Sequence, residues 1–180
     1  MKLSQILLLF ILLFTVFRSY ADNEWARSYV PYEGSLDIKV YRNISCNCCQ
    51  KWMKHLKQNN FNITDIPTNN LAYVNEQVHL PAKMKSSHTA IINGYIIEGH
   101  VPADDIKRLL LAKPDIRGLA VPRMPAGVPG AERGEIKESF IVFQFDKNGK
   151  YSIFNRYQVD KNNHYQAHPV TEVQLKPSQH

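Results

Sequence analysis

Three cysteines, Cys46, Cys48 and Cys49, occupy four consecutive positions, and the chain of 180 residues has no others. A small exported domain stapled by disulfides spreads its cysteines so that distant segments are joined. Clustered cysteines cannot do that, so the fold must rest on a buried apolar core. The chain is long enough for one, and its length suits one domain, or one domain plus an appendage. With 44% hydrophobic, 21% charged and 11% aromatic residues it is neither disordered nor fibrous in composition.

The N-terminus reads as an address. Lys2 precedes an apolar run from Ile6 to Phe17, and Ser19-Tyr20-Ala21 places small residues at the spacing of a cleavage site, the pattern of a secretory signal peptide. The run is shorter than the roughly 20 residues of a spanning helix, so no membrane association is expected after cleavage. The expected organisation is a signal peptide over 1–21, an N-terminal extension over 22–35, one domain over 36–157 and a loose polar tail over 158–180. The expected location is the periplasm. The chain carries 22 Lys+Arg against 16 Asp+Glu, a net charge of +6, without a basic run. Nucleic-acid binding is therefore a poor reading of its charge. Thiols exported to an oxidising compartment must be bridged, held by a ligand, or turned over.

Periodicity predicts the elements. Leu36 to Tyr41 alternates as a strand, a helix follows from about Cys48 to Gln58 with Trp52, Met53 and Leu56 on its apolar face, and Ser45 or Asn47 is available to cap it. Phe61 to Ile66 is a second strand stopped by Pro67. Leu71 to Val78 is a helix capped by Asn69 or Asn70. Thr89–Ile92 and Tyr95–Glu98 flank Asn93-Gly94, a strong hairpin signal. Pro102 opens a helix that Lys113-Pro114 ends. From Asp115 to Gly134, prolines and glycines predict a structured loop. Phe140–Phe145 and Tyr151–Tyr157 form a second hairpin. The order β-α-β-α-β-β-α predicts an α/β, thioredoxin-like fold with an added Pro/Gly segment and a C-terminal hairpin.

In such a fold the first strand meets the first helix at Cys46-Asn47-Cys48-Cys49. Helix N-termini stabilise thiolate, the form that both attacks disulfides and ligates metals. A purely stabilising disulfide is a weak account, because every bridge available here closes a tiny loop and leaves one thiol over. Two chemistries stay open. Cys46 and Cys49 form a C-x-x-C pair suited to a thiol–disulfide oxidoreductase. Alternatively, the three sulfurs are soft ligands for Cu(I), or for zinc with one histidine added. Thioredoxin-fold redox enzymes place a cis-proline before the third strand, facing the cysteines. The aligned residue here is His88, and imidazole ligates metals where proline cannot.

The stretch from Val40-Tyr41 through Cys46-Asn47-Cys48-Cys49-Gln50-Lys51-Trp52 resembles the opening of the CopG-type copper-resistance family. His88-Thr89-Ala90 and Gly94 through Ala103 resemble its central block, and Gly118-Leu119-Ala120-Val121-Pro122 through Gly127 its Pro/Gly block. The resemblance runs from about Leu36 to Tyr157. It implies a periplasmic copper-binding protein serving copper tolerance, with a multi-copper, cysteine-bridged site and other periplasmic copper-handling proteins as partners. Cu(I)/Cu(II) cycling is compatible with it, and a non-enzymatic role is favoured over an enzymatic one. It also makes His100 a direct ligand or the support of one. Three positions depart from the family pattern. Asn47 stands where Gly is usual, Ser87 where a further cysteine is frequent, and Ala131 where a methionine is frequent.

The expected ligand set is Cys46, Cys48, Cys49 and His88, extended by His100 and by Met124, a soft thioether in a Pro-bounded loop that could fold over the site. Met53 is assigned to the core. Glu98 could fix the tautomer of a histidine ligand. His164 and His168 could share a metal only if helical.

Overall fold

The computed structural model describes residues 24–26 and 28–170; the expected signal peptide lies outside them. The protein is an α/β fold built on one eight-stranded mixed sheet, order β2-β1-β3-β4-β5-β6-β7-β8. The strands are β1 (Asp37–Asn43), β2 (Asn62–Thr68), β3 (His88–Ile92), β4 (Tyr95–Gly99), β5 (Gly118–Val121), β6 (Phe140–Phe145), β7 (Tyr151–Val159) and β8 (Tyr165–Pro169). The helices are α1 (Asn47–Gln58), α2 (Leu71–Gln77) and α3 (Ala103–Ala112), with a 3₁₀ turn over Ala82–Met84. The predicted order from β1 to α3 is observed. Among the described residues no helix is long and apolar enough to cross a membrane.

Alternation assigns the two faces of the sheet. Ile38, Val40, Ala90, Ile92, Ile97 and Leu119 pack with Trp52 and Leu56 of α1 and Ile106 and Leu109 of α3. On the opposite face Ile96, Ala120 and Phe145 pack with Val78, Leu80 and Met84. As expected, α1 buries Trp52, Met53 and Leu56, together with Cys49. The Asn93-Gly94 turn takes φ of 47° and 83°, the left-handed pair that a two-residue hairpin needs.

Three local expectations change. Pro67 does not stop β2, which runs on to Thr68. β2 is an edge strand paired on one side only, where a missing N–H is tolerated. The Pro/Gly segment expected as loop contains β5, a four-residue strand buried throughout and paired parallel to β4. A fully buried strand has no polar alternation to betray it. The segment after Val159, expected as a loose tail, contains β8, paired to β7. The N-terminal extension is docked. Trp25 packs on Phe140, Tyr157 and Tyr165, donates from Nε1 to the Gly127 carbonyl, and accepts from His55 Nδ1 at its own carbonyl.

His55 also completes α3. The cap residue Pro102 offers no side-chain acceptor, and His55 Nε2 instead accepts the Ala103 N–H at 3.0 Å. Asp105, in the first turn of α3, is buried and receives Asn155 Nδ2 and the Tyr157 hydroxyl at 2.8 Å each. These bonds tie α3 to β7.

Because β4 and β5 run parallel to one another and β3 antiparallel to both β1 and β4, one end of the sheet collects four segments. They are the chain leaving β1 (Ile44–Cys46), the chain entering β3 (Ser86–His88), the chain leaving β4 (Gly99–His100) and the chain leaving β5 (Pro122–Met124). Every expected ligand lies at or beside that end.

Candidate metal centre

The site begins with the capping of α1. Neither Ser45 nor Asn47 is the cap. Cys46 takes that place with extended backbone, and its Sγ accepts the Cys49 N–H at 3.2 Å. The sulfur thus satisfies one of the donors that a helix start leaves open. Upstream, the Arg42 guanidinium holds the loop that leads into the helix. It pairs with both oxygens of Asp65 at 2.8 and 2.9 Å and donates to the Asn43 and Ile44 carbonyls.

The sulfurs of Cys46, Cys48 and Cys49 all lie within 4.8 Å of one another. Cys46 and Cys49 form a disulfide; Cys48 is free and half-buried, with its Sγ 3.2 Å from Cys46 Sγ. Cys49 is fully buried and Cys46 8% exposed. Both spacings seen in the sequence therefore meet at Cys46, bonded in the C-x-x-C sense and in contact in the C-x-C sense.

Ser87, noted in the sequence only as a departure from the family pattern, is in contact with the site. Its Oγ lies 3.2 Å from Cys46 Sγ and 3.3 Å from Cys49 Sγ. No local pattern announces this contact, which joins residues about 40 positions apart.

His88 and His100 form a second group. Their ring centroids are 5.3 Å apart in an edge-to-face arrangement. His88 Nε2 donates to the Gly99 carbonyl at 3.0 Å, and His100 Nδ1 donates to the Pro129 carbonyl at 2.7 Å. Each bond fixes a tautomer, leaving a lone pair on His88 Nδ1 and on His100 Nε2. Both of those nitrogens are buried without a hydrogen-bond partner. Burial is the main cause that lowers both pKa values, to about 3 for His88, where the nearby His100 adds to the effect. Both rings are therefore neutral at pH 7 and carry the free lone pair that metal ligation needs. Trp52 covers His88 with ring centroids 4.4 Å apart.

The orienting role expected of Glu98 belongs instead to its neighbour, the Gly99 carbonyl. Glu98 is buried and accepts Ser86 N–H at 2.5 Å and the Thr89 hydroxyl at 2.7 Å, which pins the segment carrying Ser87 and His88. Met124 is 37% exposed in the loop leaving β5. Met53 is in the core, as expected. His164 precedes β8 and His168 lies within it, so the helical pairing they would need is absent. The structure thus makes the three cysteines one group and the two histidines another. His88 follows Ser87 directly, so the two groups adjoin along the chain.

Soft thiolates and oriented imidazoles are the donor set of a thiophilic metal such as Cu(I) or zinc. With the Cys46–Cys49 bridge reduced, the three sulfurs within 4.8 Å of one another suit such an ion, and the two buried unpartnered imidazole nitrogens stand beside them as a separate pair of nitrogen donors.

Two solved structures, described as two forms of the copper resistance protein CopG, resemble the chain with 39% and 38% sequence identity and a TM-score of 0.66 each. They match 69% of this chain and 98% and 100% of their own. The profile of a family described as a protein of unknown function, DUF411, matches residues 84–131, which include Ser87, His88, His100 and Met124 but not the cysteines. No curated protein matches the chain.

Proposed function

The chain belongs to the CopG copper-resistance family, and from that membership we propose that it binds copper through Cys46, Cys48 and Cys49, with His88 and His100 as nitrogen ligands. The convergence of three sulfurs within 4.8 Å at the start of α1 carries this reading. Copper is cargo here rather than a resident cofactor, and Cu(I) is the oxidation state that a thiolate-rich site prefers. The role is sequestration or handling of copper in the periplasm after signal cleavage, with cycling between Cu(I) and Cu(II) open to a site of mixed sulfur and nitrogen donors. Met124 stands at the same end of the sheet as a thioether able to join from the exposed loop.

Binding through all three sulfurs requires the Cys46–Cys49 disulfide to be reduced, which consumes two electrons and two protons and yields two thiols. The expected result is that the reduced protein takes up Cu(I) and that replacing the three cysteines together by serine abolishes uptake. Equal copper content in that triple variant and the parent overturns the reading.

The Cys46–Cys49 bridge also favours a second reading, a thiol–disulfide oxidoreductase. That reading predicts reduction of insulin disulfides that persists when copper is chelated.

A further inference from the structure

The disulfide of the site is formed by its two least accessible cysteines, and the accessible one is free. Cys49 is fully buried and Cys46 nearly so, while Cys48 is partly exposed. An external thiol must reach a sulfur atom to attack it, so the Cys46–Cys49 bridge is shielded from reductants. Cys48 Sγ, however, already stands 3.2 Å from Cys46 Sγ. Thiol–disulfide exchange proceeds by attack of a thiolate on one sulfur of a bridge, through a mixed disulfide, and depends on such access.

We propose that Cys48 acts as an internal relay that moves the bridge from Cys46–Cys49 to Cys46–Cys48 and so brings it within reach of a low-molecular-weight thiol. In the first step the Cys48 thiolate attacks Cys46 Sγ. The Cys46–Cys48 bond forms, the Cys46–Cys49 bond breaks, and Cys49 leaves as a thiolate. One proton is lost from Cys48 and one is taken up at Cys49, so no net oxidation occurs. The leaving sulfur departs from the first turn of α1, where the helix dipole favours negative charge. It also has the Ser87 hydroxyl 3.3 Å away as a hydrogen-bond donor. In the second step an external thiol attacks the half-buried Cys48 sulfur, the most accessible of the three, forming a mixed disulfide and releasing Cys46. A second external thiol then frees Cys48. The balance is two external thiols oxidised to one disulfide and one protein disulfide reduced to two thiols.

The arrangement explains why a third cysteine is useful in a site whose bridge needs two. Its value in gating metal uptake rests on the copper reading above, but the exchange itself does not, and it is tested without metal. The metal-free oxidised full-length protein is held at pH 8, quenched in acid, denatured and alkylated, and the labelled cysteine is located by mass spectrometry. Partition of the label between Cys48 and Cys49, with at least a tenth on the minor site, is the expected outcome. Label on Cys48 alone overturns the proposal.

A second measurement follows the rate at which glutathione reduces the bridge. Cys48→Ser keeps the Cys46–Cys49 disulfide and is expected to be reduced at least tenfold more slowly than the parent. Equal rates overturn the relay. Cys48→Ala repeats the comparison should the serine variant not fold. Copper uptake by the reduced parent is measured separately. If it fails while the label partitions, the copper reading falls and the relay stands; if the label stays on Cys48 while copper binds, the relay alone falls.

Discussion

The Trp52 indole covers the His88 imidazole at a centroid distance of 4.4 Å and a tilt of 35°, closing one face of a ring whose Nδ1 has no hydrogen-bond partner. A residue of the helix that begins at the cysteines therefore packs against the histidine of β3. Packing of α1 and placement of the imidazole are one problem.

Replacing His88 by phenylalanine keeps a ring beneath Trp52 but removes both nitrogens. The Gly99 carbonyl then loses its donor, at a cost of about 1–3 kcal/mol. The protein is expected to fold with a lowered urea midpoint and to bind Cu(I) at least tenfold more weakly in competition with a colorimetric chelator. Unchanged affinity removes His88 from the ligand set.

Gly94 and Gly130 both have positive φ, 83° and 82°, but only Gly130 is crowded. A Cβ there would lie 2.4 Å from Trp52 N and 2.8 Å from Trp52 Cα, whereas one on Gly94 meets nothing within 4 Å. Gly94→Ala is expected to cost about 1–2 kcal/mol from backbone conformation alone and to leave copper binding intact. Gly130→Ala adds a backbone clash that pushes the loop from α1 and carries the adjacent Pro129 carbonyl away from His100. It is expected to unfold at a lower temperature than Gly94→Ala and to bind copper more weakly. Thermal melts and chelator competition on both variants test the contrast.

His55 makes stability depend on pH. Burial is the main cause that lowers its pKa to about 4, from 6.5 for an unperturbed histidine. Donation to the Trp25 carbonyl and the nearby Asp104 oppose that shift, and His100 and Lys107 reinforce it. Between those values the unfolded chain binds more protons than the folded one. The contribution of neutral His55 is therefore complete above pH 6.5 and is lost as pH falls toward 4. Replacement by Gln is expected to flatten the rise of unfolding free energy between pH 4.5 and 7.5 by on the order of 2–3 kcal/mol. Parallel urea titrations of parent and variant at the two pH values measure it, and identical slopes refute it.

Arg42 is nearly buried and serves Asp65 and two loop carbonyls at once. Lysine has one ammonium and cannot supply the planar fork. Arg42→Lys is expected to lower stability by about 1–3 kcal/mol in urea unfolding, and faster amide exchange over 43–46 is expected to locate the loss.

The pairing of sequence and structure is uneven for physical reasons. The start of α1 at the cysteine cluster was legible because a helix is encoded by local periodicity, and so was the Asn93-Gly94 turn, whose two residues suit left-handed backbone. β5 was hidden because a strand buried on both faces carries no alternation. β8 was hidden because its polar sequence is held by pairing to β7 and not by an apolar face of its own. Cys46 as the cap of its own helix was missed because oxygen-bearing residues on either side are the commoner choice.

The sequence by itself determined the order of elements from β1 to α3, the helix that starts at three clustered thiols, and the residue types able to hold a soft metal. Each of these depends on neighbours a few positions away. The tertiary structure decided which lone pairs are free. The Gly99 carbonyl accepts the Nε2–H of His88 and the Pro129 carbonyl the Nδ1–H of His100, the latter across 29 positions. It also decided that Ser87 touches both bonded sulfurs and that Cys48 waits beside the bridge. Such contacts arise where loops from separate strands meet at one end of a sheet, and no short window of sequence contains both partners.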